Sequence, residues 1–230
     1  MKKFAVVSAV LMLVAALPAA AQLGMRNSRG HVAPARLPGD GHSEREKARA
    51  VMNNFAECLD RADHKRVIRL LALPPFSSKA RQEMKNVSDQ GCMVVRELRF
   101  DPSLLRGSLF VVLFNRAAAT SEGAVTVAPI DYSADTVGET SPRAAQYVTM
   151  RQFAACVVKK DPANSRAVVA SAAGSDSERL AYSNLSPALS DCIIGDKVKF
   201  SKQVVSGLLA EVLYRSTIAD IVSNRARETQ

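Results

Sequence analysis

The sequence predicts an all-α protein built from two tandem related helical units of about four helices each, packed with pseudo-two-fold symmetry and stapled by one disulfide apiece. Three observations predict it. The first is an internal repeat: Met52-x-x-Phe55-Ala56-x-Cys58 returns as Met150-x-x-Phe153-Ala154-x-Cys156. Cys92 returns as Cys192, Phe100 as Phe200, and Gly107-x-Leu109-x-x-Val112-Leu113 as Gly207-x-Leu209-x-x-Val212-Leu213. A repeat of this length sets the fold, because each copy must be one structural unit. The second is helical periodicity, with apolar residues at i, i+3, i+4 and i+7 in both copies. The third is the placement of Cys58, Cys92, Cys156 and Cys192, two in each copy.

The first 21 residues read as an export signal. Lys2 and Lys3 precede an apolar run from Phe4 to Leu17, and Ala19, Ala20 and Ala21 supply small residues for cleavage. The run is too short for a good membrane span, and no later segment is apolar enough. A periplasmic or secreted protein is the expectation. Residues 22–45, with Gly24, Gly30, Pro34, Pro38, Gly39 and Gly41, read as a flexible leader.

Unit one is assigned to residues 46–119. Its first helix carries Met52, Phe55, Ala56 and Leu59 on one face, and a second carries Val67, Ile68, Leu70 and Leu71 before Pro74-Pro75. A third starts at Ser77. The stretch from Arg96 to Phe100 alternates polar and apolar residues, as Asp196 to Phe200 does in the other copy, and reads as a short extended connector. The fourth helix opens with Asp101-Pro102, a cap followed by proline in the first turn. Residues 120–145 read as a linker, 146–222 as unit two, and 223–230 as a polar tail.

In unit two, Met150, Phe153, Ala154 and Val157 form the first stripe and Pro162 opens the second helix. Ser175-x-x-Glu178 fits a capping box for the third, which Pro187 is expected to kink or shorten. Ser201 caps the fourth. Pairing Arg66 with Arg166 places a two-residue insertion of the second copy near Pro162. Gly107 and Gly207 sit in mid-helix, where glycine costs about 1 kcal/mol against alanine. Their retention in both copies predicts close approach of another backbone or of the disulfide.

An even cysteine count in an exported chain favours disulfides. If each copy descends from a unit that paired within itself, the links are Cys58–Cys92 and Cys156–Cys192. Each would close a loop of about 35 residues and contribute roughly 3–4 kcal/mol in the chain-entropy picture.

The paired units resemble an uncharacterised group of small exported alphaproteobacterial proteins whose duplicated helical units begin F-A-x-C and end near L-Y-R, as Leu213-Tyr214-Arg215 does here. Unit one departs from that pattern with Phe114-Asn115-Arg116. The resemblance covers the units and implies no activity.

No catalytic constellation stands out. His31 and His42 fall in the leader and His64 at a helix-helix turn; no metal or cofactor site is expected. Asp60, Asp63 and Asp161 are the carboxylates at helix ends, read as caps or ion-pair partners rather than as a glycosidase pair. The net charge of +9 suits an anionic partner. The absence of tryptophan and the few aromatics argue against nucleic-acid stacking. The candidate contact set is basic in both copies: Arg61 with Lys159, Arg66 with Arg166, Lys79 with Arg179, and Arg99 with Lys199. The expected function is non-enzymatic binding of a protein or an anionic envelope component. The alternative is an envelope hydrolase acting on glycans.

Overall fold

The computed structural model describes residues 41–88, 91–92, 101–119, 129–193 and 200–228, with side chains excepted at 88 and beyond 218. The stretch predicted to be an export signal, most of the predicted leader, part of the linker, and the stretches carrying Arg99 and Lys199 lie outside them. The described residues form eight α-helices and no strand. These are α1 (Glu44–Ala62), α2 (His64–Ala72), α3 (Ser78–Ser88), α4 (Pro102–Ala118), α5 (Pro142–Lys160), α6 (Pro162–Ala170), α7 (Asp176–Cys192) and α8 (Lys202–Glu228). A single 3-10 turn, Ala134–Thr136, precedes α5.

Helix α4 and helix α8 form the centre. Leu105, Leu109, Phe110, Val111, Leu113 and Phe114 are buried on α4, and Val205, Leu208, Leu209, Ala210, Val212 and Leu213 on α8. Burial on most sides is what a helix inside a bundle requires. Helix α1 packs on α4 and α5 on α8, while α6 touches both central helices. The predicted stripe of α1, Met52, Phe55, Ala56 and Leu59, is buried, as are Phe153, Ala154 and Val157 of α5. Phe200 stacks on Phe153 with ring centroids 5.0 Å apart.

The two central helices cross at the repeated glycines. A Cβ on Gly107 would lie 3.1 Å from the Gly207 Cα, and one on Gly207 would lie 2.8 Å from the Gly107 Cα. The expected close approach is therefore backbone to backbone.

The caps follow the sequence. Asp101 accepts from the Ser103 N–H at 2.8 Å, with Pro102 in the first turn of α4. Asp63 and Asp161 cap α2 and α6 by accepting from the Arg66 and Asn164 N–H groups. Ser43 and Glu46 form a complete capping box that starts α1 inside the predicted leader. At α7 the box is half formed: Ser175 Oγ accepts from the Glu178 N–H, but the Glu178 carboxylate bonds Arg49 and the Gly174 N–H.

Several boundaries need correction. Helix α5 begins at Pro142, not 146, because proline without an N–H fits the first helical turn. Helix α8 runs on to Glu228, past 222; Asn224 to Glu228 contains no glycine or proline to stop it. Helix α7 is not shortened by Pro187. The proline lies on the exposed face, where the carbonyl freed on Ser183 meets water.

The two-residue insertion also moves. Helices α1 and α5 are both 19 residues long, α2 and α6 both 9. Buried Leu70 and Leu71 correspond to Val168 and Val169, and the cap Ser77 to Ser175. Register is thus kept into the third helix, and the extra residues fall between Leu185 and Cys192. The counterparts of Arg66 and Lys79 are Asn164 and Ser177, so neither Arg66/Arg166 nor Lys79/Arg179 is an equivalent pair.

Both disulfides are those expected. Cys58–Cys92 and Cys156–Cys192 join Cα atoms 5.7 and 5.8 Å apart, across separations of 34 and 36 residues. Non-reducing peptide mapping of the protein is expected to recover these two links. A Cys58–Cys156 link would contradict self-contained units.

Candidate functional site

Two clefts of similar size lie between the halves. The first, of about 690 Å³, is bounded by α1, the C-terminal half of α4 and the end of α6. The second, of about 680 Å³, is bounded by α5, α8, the end of α2, α3 and the start of α4. Asn53 and Val111 in the first stand where Arg151 and Glu211 stand in the second.

In the first cleft, Asp60 is fully buried near the end of α1. One carboxylate oxygen lies 2.6 Å from His64 Nδ1, and the other pairs with Arg116. His42 presses its ring on Gly174, whose φ of +80° and lack of a Cβ let the chain turn there. The leader is thus seated from His42 onward, where flexibility was expected. His42 Nδ1 and Asn53 Oδ1 are buried without a hydrogen-bond partner. Among the described residues no group of histidine, cysteine, aspartate and glutamate could hold a metal.

The second cleft is walled by Leu70, Phe76, Ala80, Met84, Met150 and Leu208, and it holds Arg81, Arg106, Arg143 and Arg151. Its one buried carboxylate, Glu211, takes two bonds from Arg151, at 3.1 and 2.7 Å, and one from the Tyr147 hydroxyl at 3.3 Å. The single Tyr147 hydroxyl hydrogen is shared between Glu211 and Asp135, the latter 3.0 Å away, and Arg151 lies over the ring at 3.3 Å. Burial, then the negative charge of Glu211, push the Tyr147 phenol far up, so it stays a neutral donor. Arg215 pairs with Asp135, so the turn before α5 is tied to α8.

Arg106 differs from the other three. It is only 8% exposed, and its guanidinium donates to backbone carbonyls at the end of α2, the shortest being 2.7 Å to Leu71. Its Nε is buried without an acceptor, and burial pulls its pKa down. Arg81 and Arg143 are exposed at the rim.

No family model matches this chain, and no curated protein or solved structure matches it. The site is therefore read from its own chemistry.

The six described members of the predicted basic set do not share a cleft; Arg99 and Lys199 lie outside the described residues. Among its described members only Arg61 lines a cleft, the first; Lys159 is exposed at the end of α5. Arg66 pairs with Glu83 at 3.2 Å, and Arg179 with Asp176 one turn away. Lys79 is exposed, and Arg166 is half-buried with its Nε unpaired. The arginines that do share a cleft escaped sequence reasoning. A signal for one existed: Arg106 interrupts the apolar run Leu104-Leu105-Arg106-Gly107 on the core-facing side of α4.

Proposed function

We propose that this protein is an exported, non-enzymatic binder that holds an anionic envelope component in the second cleft. The observation that carries the reading is the lining: an apolar wall with four arginines against one buried carboxylate already engaged by Arg151 and Tyr147. Such a cleft concentrates positive potential on a low-dielectric surface and attracts anions. The disulfides fit an oxidising compartment. No described helix is long and apolar enough to cross a membrane.

The hydrolase alternative needs two carboxyls facing one cleft with room for a sugar between them. In the second cleft the carboxylates are Glu211, held by Arg151, and Asp101, which caps α4. Neither arrangement favours acid-base work, and binding is the better-supported reading.

Vesicles of phosphatidylglycerol and phosphatidylcholine test it. Association is expected at low salt and should weaken as salt rises, because exposed charges are screened within about 8 Å at physiological ionic strength. Reversing the rim pair, Arg81→Glu with Arg143→Glu, should reduce binding more than Lys79→Glu with Lys159→Glu. Both doubles change net charge equally, and the lysines line neither cleft. Equal losses would reduce the effect to bulk charge. No binding at any salt would remove the anionic partner.

A further inference from the structure

We propose that the second cleft is a site for a small amphipathic anion, an acid group on a medium-length alkyl chain, with the acid at Arg106 and the chain against Phe76, Met84, Met150 and Val204. This deepens the anion-binding reading above and rests on it.

The argument starts from charge. Arg106 is a cation buried in the cleft wall whose hydrogen-bond partners are neutral: the carbonyls of Leu71 at 2.7 Å, Leu70 at 3.4 Å and Leu73 at 3.5 Å. A buried charge is stabilised well only when it is both paired and hydrogen-bonded. Carbonyl dipoles supply part of this, and no carboxylate among the described residues lies within ion-pair distance of Arg106. Glu211 cannot serve, since both its oxygens face Arg151. The Nε hydrogen has no acceptor at all. An acid group entering the cleft beside Arg106 would provide the missing charge. Capping the end of α2 explains why an arginine sits here, but not why its Nε is buried and unpaired.

The walls then set the rest of the ligand. They are apolar, and Met84 and Met150 are unbranched, polarisable side chains that adapt to a flexible chain. A volume near 680 Å³ lies within the range of small-molecule sites, about 300–1,000 Å³. Arg81 and Arg143 at the rim would steer the anion inward.

The repeat provides an internal comparison. The counterpart of Arg106 is Ser206, and it does not line the first cleft. The first cleft, lined by the other half of α4, has only the exposed Arg61 and Arg116, so the proposed acid site belongs to the second cleft alone.

The experiment uses the mature, oxidised chain and calorimetric titration with dodecanoate, dodecyl phosphate, 1-dodecanol and dodecyltrimethylammonium, each below its micelle concentration. At least one of the two anions is expected to bind about tenfold or more tighter than the alcohol, the scale of a charge-assisted hydrogen bond. The cation should not bind. Preference for dodecanoate identifies a free carboxylate as the head group, and preference for dodecyl phosphate a phosphate. Arg106→Gln should bring the anion down to the affinity of the alcohol. Should that variant not fold, the acid-alcohol comparison on the unmutated chain still decides. Equal affinity for acid and alcohol would overturn the proposal. If neither dodecyl anion binds while salt-sensitive vesicle binding persists, this inference falls and the broader reading stands. If both fail, both fall.

Discussion

Gly207→Leu is expected to destabilise the protein by about 3 kcal/mol or more, at the high end of what overpacking usually costs. The reason is the partner, which is backbone. A Cβ at 207 would meet the Gly107 Cα at 2.8 Å and its carbonyl carbon at 3.3 Å, and neither atom can rotate away. To admit a side chain, α4 and α8 must separate, and every apolar contact along their crossing loosens with them. The alanine variants sharpen the test. At 107 the contact is 3.1 Å, close enough to need a shift of a few tenths of an ångström. There the better helix propensity of alanine, about 1 kcal/mol, offsets much of the strain. Gly107→Ala should be near neutral and Gly207→Ala clearly destabilising in urea unfolding. Stabilisation by both alanines would show that the helices do not approach this closely.

The sequence carried the crossing because a glycine retained in mid-helix has few other reasons to persist. It carried the stripes of α1 and α5, the caps Asp101 and Ser175, and the disulfides, because each depends on residues close in the chain or on the repeat. Pairing Arg66 with Arg166 misled for a physical reason. Half-buried arginines, whose long side chains reach water from several positions, carry little register, whereas the caps Asp63 and Asp161 and the buried Leu70 and Val168 do. The second cleft was not legible. Arg81, Arg106, Arg143 and Arg151 come from three helices in different halves, and only the packing of α3, α4 and α5 brings them together. Arg106 alone left a signal, by standing in an apolar run, and that signal was not read. Its partners, three carbonyl oxygens, leave no trace in a sequence.

Arg49→Met is expected to cost about 3 kcal/mol at neutral pH, the usual result of removing one member of a buried ion pair. Arg49 on α1 makes a two-pronged bond to Glu178 on α7, one arm being 2.7 Å, and so ties the first half to the second. Glu178 is almost wholly buried, and burial alone would raise its pKa. The bonds from Arg49 and the Gly174 N–H, with Lys202 at 3.9 Å, reverse that and hold it below the ordinary glutamate value. A depressed carboxylate stabilises the folded state above the unfolded pKa, and this contribution is lost as pH falls through the folded one. The pair therefore contributes fully above about pH 4.5 and fades below it. In Arg49→Met the same carboxylate is buried with fewer partners, so its pKa rises and protonation relieves the penalty. The stability gap between the two proteins should be widest near neutrality, begin to narrow as pH falls through the raised Glu178 pKa of the variant, and close once pH is below the depressed one of the unmutated protein. The double variant Arg49→Met with Glu178→Met should recover much of the loss, since apolar replacement of a buried pair is often neutral. Thermal melts across pH check all three statements. A gap that does not change with pH, or a double variant no better than the single, would show that the tie between the halves lies elsewhere.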